Sequence, residues 1–211
     1  MDKTEKDLSA HWEAAYANTP AEDVSWFQSS PQCSLSLIRH TGLGRDEPIV
    51  DVGGGASTLI DHLLDDGFGD LTVVDVASTG LEQSRRRLGK KRAAGVEWVV
   101  ADVTTWQPMR RYRLWHDRAV LHFLTDPADQ ARYVKTLKKA VEPGGWAIIS
   151  GFAPGGPRRC SGLDIVQHDE TSLGKLLGAE FKLLEKRDET HLTPSGKEQA
   201  FRFCLFQRER T

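Results

Sequence analysis

The ten residues Pro48–Ser57, P-I-V-D-V-G-G-G-A-S, constrain the fold more than any other segment of the chain. A short β-branched run ends in an acid, three glycines follow, and a helix-forming stretch comes next. This reads as a buried strand that stops at a tight turn, where backbone must approach a ligand closely. Glycine suits such a turn because it reaches positive φ and has no Cβ to obstruct the ligand.

Strands and helices alternate around that turn. Candidate strands are Ile49–Val52, Leu71–Val76, Val96–Ala101, Tyr112–Asp117 and Trp146–Phe152, with helical patterns between them at 57–66, 78–89, 119–124 and 127–141. Such alternation predicts a parallel sheet covered on both faces. Upstream, residues 5–18 form a helical pattern with Leu8, Trp12, Ala15 and Tyr16 on one face. A second helix starts at Ser30-Pro31 and stops near Gly42 and Gly44. The tail differs. After the Gly/Pro/Arg loop Ala153–Arg159 comes a helix at 170–177, then strands Phe181–Glu185 and Phe201–Gln207 joined by the turn-rich Thr193–Gly196. Two strands joined without a crossover helix pair antiparallel.

With 211 residues, 39% hydrophobic, 27% charged and a net charge of −2, the chain suits one domain and gives no electrostatic reason to expect nucleic acid or an anionic membrane. No apolar run reaches membrane-spanning length, and the N-terminal residues lack the apolar stretch of a secretory signal. Cys33, Cys160 and Cys204 show neither a disulfide framework nor metal-ligand spacing, so a cytoplasmic protein without a metal is expected.

In open α/β sheets the ligand lies beyond the carboxyl ends of the strands, where strand order reverses. Four successive strand ends here carry an acid: Asp51, Asp75, Asp102 and Asp117. An anion would not be held that way. A ligand with a positive charge, ribose hydroxyls, an exocyclic amine and no phosphate would suit them.

On these residues the chain resembles the class I S-adenosylmethionine-dependent methyltransferases. D-V-G-G-G is similar to their cofactor loop, V-V-D-V to the second strand with its ribose-binding acid, and V-E-W-V-V-A-D-V to the third. Y-R-L-W-H-D-R-A-V-L-H-F-L and V-E-P-G-G-W-A-I-I-S resemble the fourth strand and the turn into the fifth. The resemblance implies an α/β, Rossmann-like doubly wound sheet, mostly parallel with a C-terminal antiparallel hairpin and helices on both faces. It implies a single methyltransferase domain over 1–211, with a helical lid segment at 1–44 and a core at 45–211. It implies S-adenosylmethionine as cofactor and S-adenosylhomocysteine as product. Position by position, Asp51, Gly53, Gly54 and Gly55 form the cofactor loop, and Asp75 with Val76 meets the ribose. Asp102 with the Val103 backbone reads adenine, and Asp117, followed by Arg118, lies near the methionyl end. Ser57 departs from the third loop glycine of many members; a serine can instead cap the following helix.

A nicotinamide-binding alternative draws on Asp75, twenty residues after Gly55, but G-x-G-x-x-G fails at Thr58. His116-Asp117-Arg118-Ala119 replaces the Asn/Asp-Pro-Pro-aromatic signature, which argues against nucleobase N-methylation. His122 is the histidine best placed to face the methyl group, and a core or surface role is its equal alternative. His168 and His191 read as structural. The aromatic lead-in H-W-E-A-A-Y…V-S-W-F-Q resembles those of thiopurine-methyltransferase-like and protein-lysine methyltransferases, so Trp12, Tyr16 and Trp26 form a lid or acceptor pocket, or simply dock a helix. Arg158 and Cys160, on the long loop after the fifth strand, are acceptor-side candidates. The basic run Arg85–Arg92 reads as a solvated helix end. A small-molecule acceptor is expected; a protein lysine is the alternative, and a non-catalytic cofactor binder the alternative of another class.

Overall fold

The computed structural model describes residues 3–210, with side chains from Leu8 to Arg210; residues 1, 2 and 211 of the expected domain lie outside the described residues. Its helices are α1 (Lys3–Asn18), α2 (Gln32–His40), α3 (Leu59–Asp65), α4 (Ser78–Ala93), α5 (Pro127–Ala140) and α6 (Glu170–Leu177). Its strands are β1 (Ile49–Val52), β2 (Leu71–Asp75), β3 (Val96–Val100), β4 (Tyr112–Arg118), β5 (Val141–Phe152), β6 (Arg159–Cys160), β7 (Leu163–Asp164), β8 (Phe181–Leu192) and β9 (Glu198–Arg208). Seven strands form one sheet in the order β3-β2-β1-β4-β5-β9-β8, while β6 and β7 make a separate small hairpin. The pairs among β1 to β5 are parallel; β9 is antiparallel to both β5 and β8. Strand order reverses between β1 and β4, the place where open α/β sheets keep a crevice.

Alternating side chains build two cores. Ile49, Leu71, Val73, Leu114 and Ile148 face one side and pack with Leu37 of α2, Leu63 of α3 and Leu81 of α4. Val50, Val52, Val74, Trp115 and Ile149 face the other and pack with Tyr133 and Leu137 of α5 and Leu177 of α6. Covering both faces explains why apolar residues in these strands occupy both alternating positions. No helix among the described residues is long and apolar enough to cross a membrane.

The departures from expectation have local causes. The helix expected at 119–124 is a single 3-10 turn, Leu121–Phe123. Asp117 is fully buried and takes the Val120 and Leu121 N–H groups at 2.8 and 3.1 Å, while Ala119 adopts φ +73°. That side chain fixes the turn and leaves no room for a longer helix. α4 continues to Ala93, beyond the expected Gly89, but Gly89 breaks its geometry at φ +73°. The basic run is not a merely solvated end either. Arg87 donates to Asp61 of α3 and to the Ala56 and Ser57 carbonyls, and Arg92 pairs with Asp65. Those arginines tie α4 to α3 and to the glycine loop before it. Pro31 precedes α2 as its N-cap rather than opening the first turn.

Asp117 also accepts from the Tyr133 hydroxyl at 2.6 Å, and that hydroxyl in turn accepts from Trp115 Nε1 at 2.9 Å. Burial lifts the Asp117 carboxyl to about 6, although the Tyr133 hydroxyl and the two N–H donors pull it down. A carboxyl raised on folding contributes stability that is complete in acid and lost as pH climbs through about 6. Removing the Tyr133 hydroxyl takes a bond from the ionised form. Tyr133→Phe should therefore cost about 1–3 kcal/mol in urea unfolding, with the larger loss at pH 8 than at pH 5. Equal losses at the two pH values would show that the hydroxyl does not support the Asp117 charge.

Candidate functional site

Beyond the carboxyl ends of β1, β2, β3 and β4 lies a cleft roofed by α1. Leu8, Trp12 and Tyr16 of α1, with Trp26, form the roof; Gly53, Asp75, Val76, Asp102 and Val103 line the strand-loop side; Arg118, Phe123, Cys160, Gln199 and Phe201 close the far end. A second chamber shares Tyr16, Trp26, Gly53 and Arg118 with the first and reaches Ser34, Asp51, Gly54, Ser57 and His116.

Several expected residues meet here. Asp75 is 6% exposed; its Oδ1 accepts from the Ala77 N–H at 2.8 Å. Burial raises its carboxyl to about 7. Asp102 Oδ1 takes the Thr104 N–H and hydroxyl, each at 2.7 Å, which fixes the loop after β3 beside Val103. Asp51 is held from behind: its Oδ1 lies 2.7 Å from His116 Nδ1, and His116 Nε2 lies 2.9 Å from Ser34 Oγ. Ser57 Oγ accepts from the Leu59 N–H at 3.1 Å, so the serine in place of a third glycine starts α3.

The glycine loop works differently from the sequence expectation. A Cβ at Gly53 would lie 2.0 Å from Val120 Cγ2, one at Gly54 2.5 Å from Val73 Cγ1, and one at Gly55 2.2 Å from the Tyr16 hydroxyl. Gly53 and Gly55 also have φ of +67° and +39°. Gly53 lines both chambers and Gly54 the second, with Val120 and Val73 packed close beside them, while Tyr16 is wedged between Gly55 and Gly80. Gly55 accordingly does not line either chamber.

Three further expected residues lie away from the cleft wall. Asp117 lies inside the core on Tyr133 and is absent from the cleft wall. His122 is 2% exposed, does not line the cleft, and packs on Phe123 and Phe152. Burial, then Arg118 and His168, hold its imidazole down at about 3, so it stays neutral. Arg158 is exposed on the loop before β6 and away from the lining. Cys160 does reach the cleft, where burial pushes its thiol up to about 11.

Sequence reasoning missed Leu8, Val120, Phe123, Gln199 and Phe201 as lining residues, and the Asp51–His116–Ser34 chain. His116 faces Asp51 only because β4 lies beside β1 in the register Asp51↔His116. Glu13 of α1 was also unmarked; it accepts from Ser78 N, Ser78 Oγ and Thr79 N at 2.7, 2.7 and 3.0 Å, pinning the roof to the start of α4.

Residues 49–145, spanning β1 to the first half of β5, match the family model described as a methyltransferase domain. That match covers a little under half of the chain. Nodulation protein S of Rhizobium tropici is 35% identical to this chain over 79 residues, 37% of the chain. The match spans 32% of that relative's length. The fold is shared with solved structures. Nodulation N-methyltransferase NodS from Bradyrhizobium japonicum, in complex with S-adenosylhomocysteine, superposes with TM-score 0.67 and 17% identity, over 98% of this chain and 99% of that one. A Burkholderia thailandensis 1,6-didemethyltoxoflavin-N1-methyltransferase, with that compound and S-adenosylhomocysteine bound, gives 0.69 and 19%, over 98% and 87%. A structure concerned with conversion of a disulfide bond into a thioacetal group during echinomycin biosynthesis gives 0.76 and 14%, over 97% and 94%.

Proposed function

We propose that this chain, acting as one domain, transfers a methyl group from S-adenosylmethionine to a small-molecule acceptor and releases S-adenosylhomocysteine. One observation carries the reading: the buried Asp75 carboxylate faces a cleft with an apolar slot beside it and Asp102 along its wall. A carboxylate so placed suits a ribose diol and would repel a pyrophosphate. The donor, when bound, supplies a methyl group already activated on a positively charged sulfur. This chain's residues then have to hold, align and shield it. Asp75 would hold the ribose hydroxyls, Val76 and Val103 the flat faces of the base, and Asp102 its amino group. Asp51, oriented by His116, faces the chamber suited to the amino-acid portion. Trp12, Tyr16 and Trp26 exclude water.

No histidine lines the main cleft. Burial and the Asp75 charge push the Tyr16 phenol up, and Cys160 remains a thiol. Neither serves as a base at neutral pH, and with Asp75 and Asp102 given to the donor the acceptor would enter with its nucleophile already unprotonated. The small-molecule class is supported by the fold neighbour that binds 1,6-didemethyltoxoflavin. Unpaired Cys33, Cys160 and Cys204 favour the cytoplasm, and a net charge of −2 gives no general attraction to nucleic acid.

Calorimetry should show S-adenosylhomocysteine binding and no binding of NADH. Donor carrying a labelled methyl, mixed with pools of small metabolites, should yield a labelled product. Preference for NADH would overturn the cofactor assignment, and donor binding without label transfer from any pool would reduce the protein to a binder.

A further inference from the structure

Arg118 ends β4 in the boundary between the two chambers and lines both. It is the one cation among the described residues of the main cleft wall. Its Nη1 donates to the Trp26 carbonyl at 3.1 Å, and its guanidinium carbon lies 4.4 Å from the centre of the Phe201 ring. Nε and Nη2 are buried and have no partner among the described residues. These two atoms form one edge of the planar fork, spaced to meet both oxygens of a carboxylate. Glu189, whose charge acts on the guanidinium, has its Oε2 on Gln28 Nε2 and makes no ion pair with the arginine. A buried guanidinium with an unused edge is costly to keep unless something pairs with it.

We propose that Arg118 is an acceptor-recognition residue: its free Nε–Nη2 edge binds a carboxylate on the methyl acceptor, whose apolar or aromatic body lies among Trp12, Trp26, Phe123 and Phe201. The inference rests on the methyltransferase reading and narrows its substrate to organic acids. The body's surroundings are aromatic: Trp12 stands edge-on to Trp26 and Phe123, with centroids 5.5 and 5.0 Å away. A lysine ammonium entering the same end would meet like charge, which sets the protein-lysine alternative aside. Burial draws the guanidinium down to about 10, so it remains charged at neutral pH.

The test uses two acids, benzoate and 2-naphthoate, and their neutral amides, titrated into the protein loaded with S-adenosylhomocysteine. The acids should bind at least about tenfold more tightly than the amides. That preference should vanish in Arg118→Met and survive in part in Arg118→Lys. Equal affinity for acid and amide in the unmodified protein would overturn the proposal without need of a variant, as would an acid preference that persists in Arg118→Met. A second arm compares S-adenosylhomocysteine with 5′-methylthioadenosine, which lacks the amino-acid portion. Their affinity ratio should be the same in the unmodified protein and in Arg118→Met, within about twofold. Collapse of the ratio in the variant would give Arg118 to the donor's own carboxylate and remove it from the acceptor site. Should S-adenosylhomocysteine itself not bind, the donor reading falls, and the acid–amide comparison on the unloaded protein still decides the anionic site.

Discussion

Asp75→Asn is expected to weaken S-adenosylhomocysteine binding by about 1–3 kcal/mol while making the unliganded protein more stable above pH 7. The two effects have one origin. Burial lifts the Asp75 carboxyl to about 7, with the Asp51 charge adding to the rise and the Ala77 and Gly55 N–H groups opposing it. Its unfolded value is about 4. Folding therefore tightens proton binding, and the stability from this group is complete below about pH 4 and lost as pH rises through 7. Asparagine carries no charge at any pH and escapes that loss, by at most about 4 kcal/mol. The same carboxylate, once ionised, is the better acceptor for two ribose hydroxyls. Affinity of the unmodified protein should consequently rise with pH through 7, and the variant's should stay flat. Thermal melts at pH 5 and 8, with calorimetry at both, check this. A variant that binds as tightly as the unmodified protein, or that melts below it at pH 8, would remove Asp75 from the ribose role.

Gly53→Ala should be the most damaging single-methyl change in the loop, costing about 2–5 kcal/mol. A Cβ there would stand 2.0 Å from Val120 Cγ2, on a backbone at φ +67°. Left-handed backbone costs an alanine about 1–2 kcal/mol, and overpacking a filled site adds about 1–3. The Gly53 N–H is held on the Val74 carbonyl at 2.7 Å, so the turn cannot swing aside freely. Trimming the obstacle separates the two contributions. In the double variant Gly53→Ala with Val120→Ala, the clash disappears and the backbone strain stays. Chemical denaturation should show roughly half of the loss recovered. No recovery would locate the whole penalty in the backbone.

The sheet was legible because short apolar, β-branched or aromatic-rich segments recur at β1, β2 and β4, each with an acid at or near its end. The tail hairpin was legible from the absence of any helical segment between its two strands. What escaped depends on packing across the sheet. Asp117 reads as a strand-end acid like Asp75, yet its side chain turns inward because Tyr133, sixteen residues later on α5, supplies a hydroxyl there. No local spacing distinguishes the two aspartates. For His122 the sequence left a site role and a core role equally open; the chain after β4 makes one 3-10 turn, which places the ring against Phe152. Arg118 was marked for the cofactor on its neighbourhood alone; its unused edge becomes visible only once Trp26 and Phe201 are placed around it.

The protein's own atoms packed close beside each loop glycine carry an evolutionary consequence. A descendant that had lost its reaction altogether would still be obliged to keep those residues small, because Val120, Val73 and Tyr16 would go on demanding the room. Persistence of D-V-G-G-G in a lineage thus records inheritance of an architecture. Retention of chemistry has to be read elsewhere, in Asp75 and Arg118, whose burial is tolerable only while there is something for them to hold.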